Sequence, residues 1–283
     1  MRNRWFSCTL ALASVFAIVS IGQMPASGQS AWSPSRLPDG QPDVQGFWRQ
    51  QGANVPSYDI ENGTDPVHAK ILGWQDRPPS SIVVDPPDGR VPYQPWARAK
   101  REALSTAHTN PSWEELDPQA KCYPDGIPRI NYQGEMQIIQ PPGFVVFLYS
   151  FTHEYRIVPL DGRPHVGTGI RYWMGDNRGH WEGNTLVIDV TNNNDKFWFD
   201  VVGDFHSPAL HMVERFNFVA ADRVDYEVTV EDPNVYTRPW KMALNIERNK
   251  EPGYYLLEEA CYEGNSRNVP LLVRQGEEQK AKQ

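Results

Sequence analysis

From residue 135 onward, apolar and polar side chains alternate with a period of two, and turn-forming residues interrupt the pattern at short intervals. The clearest case is Arg223–Glu231. There Val224, Tyr226, Val228 and Val230 share one face, while Asp225, Glu227, Thr229 and Glu231 share the other. The same reading predicts strands over 136–140 and 144–151, joined at Pro141-Pro142-Gly143, and then over 155–159. Further strands are predicted over 185–191, 211–219 and 241–248, with 254–262 expected to form a hairpin with the last around 249–253. Residues 173–191 read as two strand segments around a glycine-rich turn, the first ending near Trp173-Met174, with Gly175, Gly179 and Gly183 every fourth residue. About nine short strands without intervening helices predict a mainly β fold, an antiparallel meander closed as a barrel or paired as a sandwich. Closure is favoured because it removes exposed edges.

The region before residue 143 follows a different pattern. Seventeen of the chain's 25 prolines fall in 31–142, and Pro78-Pro79, Pro86-Pro87 and Pro141-Pro142 cannot lie inside helices or central strands. Trp32, Trp48, Trp74, Trp96 and Trp113 are spread through it, which a disordered tail would not carry. It is read as a wrapping segment, 29–121, with short helices over 67–74 and 96–106. The β domain would span 122–274, and a charged, frayed tail 275–283.

Residues 1–28 are excluded from the fold. Arg2 and Arg4 precede an apolar run from Phe6 to Gly22, and Ala26-Ser27-Gly28 offers a cleavage site, the pattern of a secretory signal peptide. The expected location is the periplasm or the secreted fraction, with no membrane span after cleavage. Without Arg2 and Arg4 the chain has 25 basic and 35 acidic residues and lacks basic clusters, which argues against a nucleic-acid partner. Cys122 and Cys261 then remain as the only cysteines, and a disulfide between them is expected. Oligomeric state is left open.

Chemistry is harder to place. His206, His211 and Glu214 have ligand chemistry, but His211 and Glu214 fall on opposite faces of one strand, so no metal is assigned. No nucleophile elbow or phosphate-binding glycine loop is present, and no cofactor is expected. Glu154 shares a face with Arg156, and His211 with Arg215. Such polar faces are ordinarily solvated in antiparallel sheets. If they face a barrel lumen instead, His211 and Glu154 form an acid–base pair, with His206 on the covering aromatic loop 196–210. Arg156, Arg215, Trp181, Tyr236, Trp240 and Trp198 are the ligand-binding candidates. The leading expectation is an exported protein that binds an apolar or aromatic small molecule in its lumen. The alternatives are a cofactor-independent lyase, isomerase or hydrolase using the same pocket, and a structural envelope protein.

Gly175-Asp-Asn-Arg-Gly-His-Trp-Glu-Gly-Asn-Thr-Leu-Val-Ile-Asp189, with His211-Met-Val-Glu-Arg-Phe216 and Cys261-Tyr-Glu-Gly-Asn265, resembles a family of exported bacterial proteins of unassigned function. The resemblance covers about 122–265 and implies an exported β-rich domain without carrying over any catalytic residue. The Trp181-Glu-Gly-Asn-Thr-Leu-Val187 piece is also loosely similar to strands of lipocalin-like barrels.

Overall fold

The computed structural model describes residues 32–50, 58–76 and 80–282, so the expected signal peptide lies outside the described residues. Ten strands build one antiparallel sheet among them: β1 (Gly46–Gln50), β2 (Val83–Asp85), β3 (Glu135–Ile139), β4 (Phe144–Tyr149), β5 (Tyr155–Pro159), β6 (Asp176–Glu182), β7 (Thr185–Thr191), β8 (His211–Ala220), β9 (Arg223–Glu231) and β10 (Trp240–Arg248). Their order is β5-β4-β3-β1-β10-β9-β8-β7-β6, with β2 paired to the start of β10. The sheet curls into a nearly closed barrel. Its end strands, β5 and β6, meet without a ladder of their own. At that seam a Cβ on Gly179 of β6 would stand 2.5 Å from Val158 Cγ1 and 2.9 Å from Leu160 Cδ2, so only glycine allows the approach.

Several expectations change. The proline-rich segment does more than wrap, because it contributes β1, which lies between β3 and β10, and β2. Gly175, Gly179 and Gly183 do not form one turn. Gly183, at φ +63°, turns the β6–β7 hairpin, while Gly179 sits within β6. Asp176, Asn177 and Arg178 masked β6 by breaking its alternation. Residues 254–260 form no strand, and the expected frayed tail is instead part of a helix, Cys261–Lys280, called α3. The helices expected over 67–74 and 96–106 are present as α1 (Pro66–Leu72) and α2 (Pro95–Ala107). Among the described residues no helix is long and apolar enough to cross a membrane. The Cys122–Cys261 disulfide is present and fastens the first residue of α3 across 139 positions of sequence.

The barrel interior is filled. Trp48, Phe147, Phe216, Phe218 and Tyr226 are fully buried and pack ring to ring, with Phe216 4.7 Å from Tyr226 and 5.3 Å from Phe147. Among them lies one ion pair. Arg156 of β5 contacts Glu214 of β8, and neither side chain reaches solvent. Arg156 Nε also donates to Asn177 Oδ1 of β6 at 2.8 Å, which ties the seam. Glu214 Oε1 accepts from Tyr226 Oη and from Asn131 Nδ2, both at 2.8 Å, and Tyr149 Oη donates to Asn131 Oδ1 at 2.9 Å.

Removing one partner leaves an uncompensated charge in the interior. Glu214→Ala is therefore expected to cost about 3–5 kcal/mol, whereas the apolar double variant Arg156→Met/Glu214→Leu should lose much less. Urea unfolding midpoints of the three proteins check this. Single and double variants equally destabilised, or Glu214→Ala unchanged, would contradict it.

Candidate functional site

The residues expected to converge do not. In β8, Met212, Glu214 and Phe216 point inward, so His211 and Arg215 point outward. His211 Nε2 lies 3.2 Å from Asp189 Oδ1, an oxygen also 3.1 Å from His165 Nε2, and His211 Nδ1 faces Glu231 at 3.7 Å. Arg215 pairs with Glu182 at 2.7 Å on the same outer wall. Glu154 is half-buried beside a separate groove with Tyr172 and Trp173, and burial raises its pKa. Of the charged residues expected at the lumen, Arg156 enters the barrel, and its carboxylate partner is Glu214.

The aromatic candidates pack. His206 is buried with its ring 4.2 Å from that of Phe197 and 5.4 Å from Phe199, and its Nδ1 donates to Ser207 O. Burial lowers its pKa to about 4, so it stays neutral at physiological pH. Tyr236 Oη donates to Phe205 O at 2.9 Å, and Trp240 packs edge-on against Tyr236. Trp181 and Trp198 are half-buried against the core.

A different set of groups meets in a cleft of about 470 Å³ outside the barrel, lined by Tyr58, His68, His108, Asp117, Val201 and Leu272 among others. Its first wall starts from a helix cap. Asp65 precedes Pro66, the first residue of α1, and its Oδ1 accepts from the backbone N–H of Val67 at 2.9 Å and of His68 at 3.2 Å. The other oxygen, Oδ2, lies 2.6 Å from His68 Nδ1. His108, at the end of α2, brings Nε2 to 3.3 Å from Asp65 Oδ1, but this buried nitrogen makes no hydrogen bond. Tyr58 stacks on His68 with ring centroids 4.0 Å apart. Burial alone would raise the Asp65 pKa, but the two neighbouring imidazoles, with the hydrogen bond from His68, outweigh it and hold the carboxyl well below its usual range.

Buried ionic contacts hold that wall against the barrel. Arg101 of α2 reaches Asp59 at 3.2 Å and Asp204 at 3.1 Å, while Tyr93 Oη donates to the other Asp204 oxygen at 2.7 Å. Asp200 Oδ2 accepts from Ile60 N at 3.1 Å. Burial and the neighbouring Asp204 push the Asp200 pKa well above the usual carboxylate range. The opposite wall depends on Arg129, from the turn Arg129–Asn131. It donates to both Asp117 oxygens at 2.8 Å and to Asp200 O at 3.0 Å. Residue Asp200 therefore anchors both walls. Asn265 of α3 donates to Ala120 O at 3.0 Å beside the disulfide, which closes the far side.

Among the described residues, two acidic or imidazole groups are compact enough to consider for an ion. Asp59 and Asp204 already hold the Arg101 guanidinium, and Asp200 accepts from the backbone N–H groups of Ile60, Val202, Gly203 and Asp204. Asp65, His68 and His108 hold none, and the two imidazoles line the cleft with buried Asp65 behind them. The sequence reading missed this trio. The expected helix over 67–74 contains His68, but the 39 positions between His68 and His108 carry no metal or catalytic spacing.

No protein-family model matches the chain, and no curated protein is similar to it, so the reading of the site rests on its geometry.

One more buried acid bears on stability. Asp125 is 1% exposed and neither oxygen has a hydrogen-bond partner. Burial raises its pKa to about 8, despite the nearby Arg129. A folded pKa above the unfolded one favours the native state fully at low pH, and this contribution is lost as pH rises through about 8. Asp125→Asn, which cannot ionise, should gain roughly 3–4 kcal/mol over the parent protein between pH 5 and pH 8. Unfolding measured at the two pH values tests it. A parent and variant that respond alike would contradict the assignment.

Proposed function

We propose that the protein is an exported small-molecule-binding protein whose ligand occupies the cleft beside Tyr58, His68 and His108, and not the barrel lumen. The carrying observation is the placement of two imidazoles, backed by the buried Asp65 carboxylate, on the wall of a cleft that also offers apolar surface from Val201 and Leu272. An apolar body with convergent polar groups is what a specific ligand site needs. The expected ligand has an aromatic or aliphatic body, which stacks near Tyr58, and one polar group aimed at the imidazoles.

Acid–base catalysis in the same cleft is the second reading, favoured by the 2.6 Å contact between Asp65 Oδ2 and His68 Nδ1. A carboxylate that orients an imidazole fixes its tautomer, so proton transfer at this ring falls to Nε2. The chemistry would be a proton-transfer-assisted hydrolysis, elimination or isomerisation. His211 and Glu154, which lie apart, are not used.

Titration of the mature protein with a panel of aromatic acids, esters and lactones, followed by intrinsic fluorescence, tests the binding. A ligand that binds should lose at least about 10-fold in affinity in Tyr58→Ala and His68→Ala, about 1.4 kcal/mol or more each, and little in Arg215→Ala. Binding that survives both cleft substitutions would overturn the placement.

A further inference from the structure

We infer that Asp65, His68 and His108 form a binding site for a divalent transition-metal ion, with zinc as the expected occupant, at the wall of the cleft. The inference rests on the cleft being the functional site and adds the chemistry of its polar wall.

Geometry supplies the first support. One oxygen and two nitrogens, one from each residue, lie within 4.8 Å of one another. Ligands of a tetrahedral zinc at ordinary bond lengths stand about 3.3 Å apart. The His108 Nε2 to Asp65 Oδ1 separation, 3.3 Å, already has that value. The contact between His68 Nδ1 and Asp65 Oδ2 is shorter, 2.6 Å, as expected when a proton bridges them. A metal ion would replace that proton and open the pair by a few tenths of an ångström, with release of the proton to solvent.

The second support is the state of His108. His108 Nε2 is buried and has no hydrogen-bond partner although a carboxylate stands beside it. A buried imidazole nitrogen without a partner costs free energy unless something else binds it. An ion between His108 and Asp65 accounts for it. The carboxylate is also held in place from behind, since its Oδ1 takes the two cap N–H groups of α1. Such outer hydrogen bonds orient a metal ligand and are a regular part of metal sites.

Donor chemistry narrows the ion. Two imidazoles and one carboxylate suit zinc or ferrous iron and suit calcium or magnesium poorly, since those ions take oxygen ligands. Three protein ligands leave a further coordination position, which here faces the cleft, so a bound water and then a ligand's polar group would fill it. A zinc-bound water ionises near neutrality, so the class of reaction this site would serve is hydrolysis of an ester, lactone or amide. Its atoms balance simply. Hydroxide adds to the acyl carbon, the carbon–heteroatom bond breaks, and the leaving group takes a proton.

The experiment uses the mature protein stripped with a chelator and then titrated with cobalt(II) or zinc. One equivalent should bind with a dissociation constant of about 1 µM or tighter, and cobalt should give the visible absorption of a low-coordinate site. His68→Ala and His108→Ala should each weaken binding at least about 100-fold, with His108→Gln as the gentler replacement should alanine perturb the fold. His211→Ala should leave it unchanged. No stoichiometric binding, or binding that persists in the His68→Ala/His108→Ala double variant, would overturn the site. The two readings fail separately. A small molecule bound by metal-free protein with no metal uptake removes the metal site alone, and tight zinc with no small-molecule binding removes the cleft reading alone.

Discussion

A sheet that almost closes has one weak line, and here that line is the junction of β5 and β6, which no backbone ladder bridges. The Arg156 guanidinium spans it, with Asn177 of β6 on one nitrogen and Glu214 of β8 on another. Sequestered from water, this charge is stable only while both partners are present. The bare Gly179 Cα and the apolar pair Val158 and Leu160 complete the junction. Closure therefore depends on one ion pair and one missing side chain.

The same interior network reaches the cleft through the chain at the barrel's end. Glu214 holds Asn131, and two residues earlier Arg129 grips Asp117 and the carbonyl of Asp200. Asp200 in turn takes the N–H of Ile60, on the segment that leads from Tyr58 to Asp65. The cleft walls are thus connected to the barrel by buried, charge-assisted hydrogen bonds, and a positioned site needs that kind of support.

The barrel was legible because β9 alternates cleanly, with Arg223, Asp225, Glu227, Thr229 and Glu231 on its outward face. Elements were lost where local signals conflict. The five residues of β1 lie in a proline-rich stretch, and charges obscure β6. Tyr254, Tyr255 and Leu256 imitate a strand ahead of α3, while Gly264 and Pro270 within that helix disguise its periodicity. The disulfide could be read from the two cysteines that remain once the expected signal peptide is set aside, and it is present. The direction of a polar face could not be read, because inside and outside are equivalent to a period of two. For that reason His211 and Arg215 were grouped with a lumen that Glu214 occupies instead. The cleft trio was invisible for another reason. Its members come from two helix ends brought together by Arg101, a contact that leaves no mark in either segment alone.

Structure and proposed function are separated in space: a filled barrel, and a candidate ligand cleft on its outside, lined by the segment before residue 122 and by α3 among others. A crystallographic soak with a library of small aromatic fragments tests this most directly. Fragments are predicted to gather in the cleft against Tyr58, His68 and His108, with the space between Phe147 and Phe216 unoccupied. Fragment density inside the barrel, with the cleft empty, would contradict it.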